Sequence, residues 1–145
     1  MTQHTVRSYD GDLQDLVRRI SEMGGISERM LGDSVDALIR GDRDLAERVI
    51  AADARLDLME REVNDKAILT IARRQPMAVD LRTIVATIKL AADIERIGDL
   101  AKNIGKRVRV IARPFQQQAL VTGLAHLGQL TQERLRQVLD AFAAR

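Results

Sequence analysis

The sequence predicts an all-α protein: an elongated antiparallel three-helix bundle followed by the first helix of a second bundle. Three observations carry this. Aliphatic residues recur at threes and fours along nearly the whole chain, the spacing of a helix with one buried face. Only two prolines, Pro76 and Pro114, interrupt that pattern. Aromatic residues make up 2% of the chain, so the core must be built from Leu, Ile, Val, Met and Ala, which suits helix packing. At 145 residues the length permits a bundle with a real interior. The predicted division is residues 1–113 for the first bundle and 119–145 for the start of the next.

The first helix is expected over residues 9–40, with Leu13, Leu16, Ile20, Met23, Ile26, Met30, Leu31, Val35 and Leu38 as its apolar stripe. Gly24, Gly25 and Gly32 lie within it. Each costs about 1 kcal/mol relative to alanine, so close approach of a neighbouring backbone is the expected reason for them. Gly41-Asp42 makes a turn. Asp44-Leu45-Ala46-Glu47 reads as a capping box with Asp44 as N-cap, opening a second helix that continues to Arg74 on Val49, Ala52, Leu56, Met59, Val63 and Ala67. Pro76 suits the first position of a third helix, where its missing N–H is not needed. That helix runs to about residue 112, where Pro114 stops it, and is about 50 Å long at 1.5 Å per residue. Short turns between three long helices imply an up-down-up arrangement. With an offset of 104 residues, the last segment (residues 120–145) repeats the apolar phase of the first helix: Met23-Gly24 lies over Leu127-Gly128 and Val35-Asp36-Ala37-Leu38 over Leu139-Asp140-Ala141-Phe142. A second repeat therefore begins, and the chain reads as a fragment of something longer. The stripe of Leu120, Leu124, Leu127, Leu135 and Leu139 must dock somewhere, which predicts self-association.

Several functional classes drop out. Zero cysteines exclude a disulfide framework and a thiolate site, and fit a reducing cytoplasm. No stretch is long and apolar enough to span a bilayer, so a soluble chain is expected. The formal charge is +2 with no Lys/Arg block, and there is no aromatic platform for bases, so nucleic-acid binding is not expected. Nor is there the one-sided basic helix of a membrane-surface protein.

What remains unusual is a set of acids placed next to the core. On a helical wheel Glu95 and Asp99 fall on the face shared by Leu81, Ile84, Val85, Ile88 and Ala92. On the second helix Asp53, Asp57, Glu60 and Asn64 share one face beside the apolar stripe, and antiparallel packing brings that face against Glu95 and Asp99. Carboxylates are seldom buried without a partner. The partner is either a cation or basic side chains from the bundle, with Arg96, Lys102, Arg55 and Arg61 as candidates. An all-oxygen donor set suits Mg, Ca, Mn or Fe, and zinc less well. A metal-dependent helical-bundle enzyme using the same acids is the rival from another class. No general base or nucleophile grouping supports it, and the Glu-x-x-His pairs of di-metal oxygenases are lacking, since His4 and His126 lie far along the chain and read as surface residues. The Asp80/Arg82 pair reads either as a first-turn acid favoured by the helix dipole or as a partner contact. Met23, Met30, Met59 and Met77 have core spacing.

These residues resemble the PhoU family, the regulators of bacterial phosphate uptake. The resemblance covers the chain almost end to end. It rests on Gln75-Pro76-Met77-Ala78-x-Asp80-Leu81-Arg82 and on Asp93-x-Glu95-Arg96-Ile97-Gly98-Asp99-x-Ala101-x-Asn103-Ile104. Asp53-x-x-x-Asp57-x-x-Glu60 and the opening Arg7-x-Tyr9…Leu13…Met23-Gly24 support it. The resemblance implies two tandem three-helix bundles and a cytoplasmic regulator without catalytic activity. Such a regulator couples the ATPase of a phosphate-specific ABC transporter to a membrane-bound sensor histidine kinase, reaches the membrane only through those partners, and is expected to be a homodimer. It also implies that a divalent or ferric cation (Fe, Zn, Mg, Mn or Ca) is held by acids at the matching positions. The expected ligand set is Asp53, Asp57, Glu60, Glu95 and Asp99. Position 64 carries Asn64 where the family usually has an acid, and a neutral amide is the weaker ligand.

Overall fold

The computed structural model describes residues 2–144, with side chains from Tyr9 onward. Four helices follow one another: α1 (Thr2–Arg40), α2 (Arg43–Arg74), α3 (Ala78–Val110) and α4 (Gln118–Ala143). No strand occurs among the described residues. The first three helices pack against each other pairwise, and α4 packs on α1. The all-helical architecture expected from the pattern is the one observed. The first helix begins at Thr2, earlier than its apolar stripe suggested.

The interior is aliphatic. Leu16, Ile20, Met23 and Met30 of α1, Leu56 and Val63 of α2, and Ile84 and Ile94 of α3 are almost wholly removed from water, each worth about 1.5–3 kcal/mol of burial. Ser27, Thr70 and Thr87 are buried among them. Each hydroxyl donates to a carbonyl one turn back, at 3.0, 2.8 and 2.8 Å, so none is left without a partner in the core.

Local signals place the turns, with two corrections to the sequence reading. Gly41, at φ +65, ends α1, but the N-cap of α2 is Asp42, not Asp44. Its carboxylate accepts from the Leu45 N–H at 3.0 Å, while Asp44 sits inside the first turn, where the helix dipole favours an acid. Gln75 closes α2 in the left-handed region, its N–H donating to Ile71 O. Pro76 is not the first residue of α3: reversing the chain takes Gln75, Pro76 and Met77, and α3 starts at Ala78. Met77 is exposed at this tip and is not a core residue; Met23, Met30 and Met59 are.

The phase of α3 also differs from the predicted one. Its buried stripe is Ile84, Thr87, Ala91, Ile94, Gly98, Ala101, Gly105 and Val108, with Leu81, Val85 and Ala92 on the outer side. The interior edge of α3 is lined by small residues because two helices press on it. Gly98 faces the Leu56 side chain, and a Cβ on Gly105 would stand 3.2 Å from the Ala46 carbonyl oxygen. Counting hydrophobicity alone weights Leu and Val above Gly and Ala, and so rotates the predicted face.

The glycines of α1 meet α4 through side chains rather than backbone. Gly24 makes room for Leu139 and Gly32 for Gln132, while Val35 lies against Gly128. Gln132 Nε2 donates to the Glu28 carbonyl at 3.2 Å, and Arg136 pairs with the Glu28 carboxylate. Under the 104-residue offset Gly24–Leu139 and Val35–Gly128 are equivalent contacts, so α1 and α4 cross about a local two-fold. Leu135 is buried there, whereas Leu120 and Leu127 of the predicted stripe stay exposed.

Candidate metal centre

Antiparallel register between α2 and α3 sets the site. Leu56 seats over Gly98 and Ile50 over Gly105, which draws the acidic edges of the two helices together. Asp53 from α2 and Glu95 and Asp99 from α3 each offer a carboxylate oxygen, all within 4.8 Å of one another. Asp53 is 4% exposed. Its Oδ2 accepts from Lys102 Nζ at 2.8 Å, and its Oδ1 is buried without a hydrogen-bond partner.

Two further acids crowd this group. Burial, a hydrogen bond shared with Asp57, and the charges of Asp57, Glu60 and Asp99 push the Glu95 carboxyl up to about 7. The hydrogen bond and charge of Asp53 push the Lys102 ammonium up. Two like charges about 4 Å apart repel by about 4 kcal/mol at an effective dielectric of 20. Lys102 is the one cation that pairs with any of these five acids among the described residues. The group therefore keeps an excess of negative charge, which a proton on Glu95 or a second cation reduces.

Of the acids singled out in the sequence, Asp53, Glu95 and Asp99 converge. Asp57 stands beside Glu95 as a proton-sharing neighbour, and Glu60 is felt through its charge. Asn64 does not join the three. Its Oδ1 is buried and without a hydrogen-bond partner, a feature spacing alone does not reveal. Of the basic candidates, Lys102 takes the neutralising role, because its position nearly two turns beyond Glu95 brings its stem back over Asp53. His126 is exposed, and the His4 side chain lies outside the described residues. Asp80 sits in the first turn of α3, near the Tyr9 hydroxyl, which burial and the Asp80 charge push up.

The donor chemistry fits a hard cation. Three carboxylates, one of which keeps a buried oxygen without a partner, suit the flexible all-oxygen spheres of Ca, with bonds of roughly 2.3–2.6 Å, better than the stricter roughly 2.0–2.1 Å spheres of Mg. Lys102 occupies part of the same space and competes.

The PhoU domain matches residues 20–108, spanning α2, α3 and the C-terminal half of α1. The chain belongs to the PhoU family. It is 50% identical over 142 residues to the phosphate-specific transport system accessory protein PhoU homolog of Rhizobium meliloti (strain 1021), covering 98% of this chain and 60% of that protein. The homolog of the same name from Caulobacter vibrioides is 46% identical, with 98% and 62% covered. The crystal structure of PhoU from Pseudomonas aeruginosa superposes with a TM-score of 0.88 at 34% identity, over 94% of this chain and 65% of that one. The chain thus spans about 60% of the length of these curated PhoU relatives. No helix among the described residues is long and apolar enough to cross a membrane.

Proposed function

We propose that this PhoU chain regulates phosphate uptake and phosphate-starvation signalling by protein contact, and that a cation at Asp53, Glu95 and Asp99 locks α2 against α3 while it does so. The partners are the ATPase of a phosphate-specific ABC transporter and a sensor histidine kinase, met at the cytoplasmic side of the membrane. The chain acts by binding, not by turnover. The names of its relatives, which are transport-system accessory proteins, support the transporter connection. The observations that carry the cation reading are the convergence of one carboxylate oxygen each from Asp53, Glu95 and Asp99 and the buried Asp53 Oδ1 left without a hydrogen-bond partner. In this reading residues 1–113 form the first PhoU repeat and residues 119–145 open a second.

When bound, the cation supplies charge neutralisation between the helices. Asp53 holds its oxygen buried, Glu95 gives up its proton, and Asp99 approaches from the next turn of α3. Two measurements test the proposal. In the first, replacing Glu95 and Asp99 with Ala abolishes bound metal by elemental analysis and removes cation-dependent thermal stabilisation. Unchanged stoichiometry in that variant rejects the site. In the second, the purified transporter ATPase retains the chain on a biosensor surface, and absence of retention with or without cation rejects the transporter contact.

A further inference from the structure

The seam between α1 and α2 changes character along its length. Toward the start of α1 it is laced by ion pairs across the helices: Arg19 with Glu62 at 3.1 Å, Lys66 with Asp15 at 2.7 Å and Arg74 with Asp12 at 3.3 Å. Toward the α1–α2 turn that pairing stops, and a cleft of about 220 Å³ opens instead. Arg29 and Asp33 of α1 and Arg48 and Arg55 of α2 line it, with Met30, Val49 and Ala52 in its wall. None of these four charged residues enters an ion pair among the described residues. The three arginines are exposed, whereas Met30 and Val49 are buried.

Register places the charges around one point. Arg19–Glu62 and Asp15–Lys66 mark which residues of the two antiparallel helices lie level. Continued at equal rise, the same register sets Arg29 level with Ala52, and Asp33 level with Arg48. Arg48, Ala52 and Arg55 are spaced four and three apart and so share one face of α2. Ala52 thus lies at the centre, with an arginine about one turn away on either side and a third across the seam. Its small side chain leaves the space open. Arg29 Nη1 stands 3.7 Å from where a Cβ on Gly25 would be, so this guanidinium reaches back one turn, toward the level of Arg55.

We infer that this cleft binds a small dianionic oxyanion of the inorganic phosphate type, with Arg29, Arg48 and Arg55 as donors. Three guanidinium groups against one carboxylate leave two positive charges without a counter-charge in the lining, and a low-dielectric wall focuses their field into the cleft. Guanidinium forks match the oxygens of phosphate two at a time. A phosphate group carries about −1.5 to −2 charges at neutral pH and offers three strong acceptors, so it meets both the charge and the number of forks. Size selects the free ion. Pockets for drug-sized ligands run to roughly 300–1,000 Å³, and this one is smaller. Asp33 on the rim limits affinity by repelling the anion.

The site goes beyond the regulatory reading and does not rest on it. Ala52 looks toward α1, whereas Asp53 pairs with Lys102 on α3, so the cleft and the carboxylate group lie on different sides of α2. The test is isothermal titration of inorganic phosphate into the whole chain, stripped of metal with chelator and then freed of chelator, with circular dichroism to verify folding. Phosphate binds at one site per chain. Arg29→Gln and Arg55→Gln each weaken it at least tenfold, and Asp33→Asn tightens it severalfold. Arg61→Gln, which removes the same charge outside the cleft, leaves it unchanged, as does the double substitution Glu95→Ala, Asp99→Ala. Acetate, a single charge, binds at least tenfold more weakly than phosphate. No saturable binding overturns the inference, and so does binding that ignores Arg29→Gln and Arg55→Gln or that Arg61→Gln weakens equally. ADP binding at least tenfold more tightly than phosphate overturns the assignment to a free ion.

Discussion

Lys102 Nζ lies 2.8 Å from Asp53 Oδ2, a salt bridge across the α2–α3 groove whose acid also belongs to the carboxylate group with Glu95 and Asp99. One ammonium thus does part of what a bound cation would do. Internal and external cations compete for the same oxygens, and the outcome is readable. Lys102→Gln removes a positive charge next to the site and leaves Asp53 buried and short of a partner. Without added metal the variant is less stable by about 2 kcal/mol, since stripping one member of a largely buried pair is costly. With Mn²⁺ it binds at least tenfold more tightly than the parent chain, as measured by isothermal titration calorimetry.

A second prediction concerns the proton on Glu95. Its carboxyl is raised from 4.5 to about 7 in the folded protein, by burial first and then by Asp57. The folded state therefore holds a proton that the unfolded chain has released across that window. The stability that proton gives is complete below pH 4.5 and is lost as pH rises through about 7. Thermal melts in chelator should show this decline between pH 5 and 7.5, and Glu95→Gln should flatten it. A cation reverses the trend, because it needs the deprotonated carboxylate, so stabilisation by added metal grows over the same range.

Gly98 links packing to the site. A methyl group there would run into the Leu56 side chain, which is fully buried and would have to shift within the core. Gly98→Ala should destabilise the protein by about 1–3 kcal/mol, the usual result of overpacking a filled interior. It should also push α2 away from α3 beside Asp99, so cation affinity falls as well. Gly25→Ala, with only an arginine tip nearby at 3.7 Å, serves as the control and should be neutral or slightly stabilising.

The same positions show what the sequence could and could not disclose. The stripe Val49–Leu56–Met59–Val63–Ala67 of α2 was legible because all but Ala67 are bulky and the period is regular. The inner face of α3 was not, because Gly98, Ala101 and Gly105 are chosen for closeness rather than for hydrophobicity, and so the larger Leu81 and Val85 outweighed them. The acids on α2 and α3 were legible as a face, since four-residue spacing fixes direction on a helix. Which of them converge was not. That depends on a register set by Leu56 on Gly98 and Ile50 on Gly105, contacts between residues far apart in the chain. The cap at Asp42 was hidden by a second, equally good acid two residues later.

The repeat offset gives a prediction about α4. Gly24–Leu139 and Val35–Gly128 are the two equivalent contacts that seat α4 on α1, and α1 is the one helix whose backbone α4 approaches closely among the described residues. Gly24→Ile should therefore release α4 while the three-helix bundle stays folded. Hydrogen exchange should accelerate throughout Gln118–Ala143 and remain slow in α2 and α3. Uniform acceleration across all four helices would mean that α4 is part of the cooperative core.

Far from the acidic groove, Asp15 ties α1 to α2. Lys66 Nζ lies 2.7 Å and Arg19 Nε 3.0 Å from its Oδ2, and Arg18 pairs with the other oxygen. The hydrogen bond from Lys66, followed by that from Arg19, holds the carboxyl at about 2 against an ordinary 3.8. Here the folded state releases its proton before the unfolded chain does. Stability from this group is present above pH 3.8 and is lost as pH falls toward 2, the opposite sense to Glu95. Asp15→Asn should cost about 1–2 kcal/mol at pH 7 after allowance for solvent screening, and almost nothing below pH 2. Denaturant unfolding of the two proteins at pH 7 and pH 2 measures the difference, and an equal gap at both pH values would show that the asparagine acts through lost packing instead.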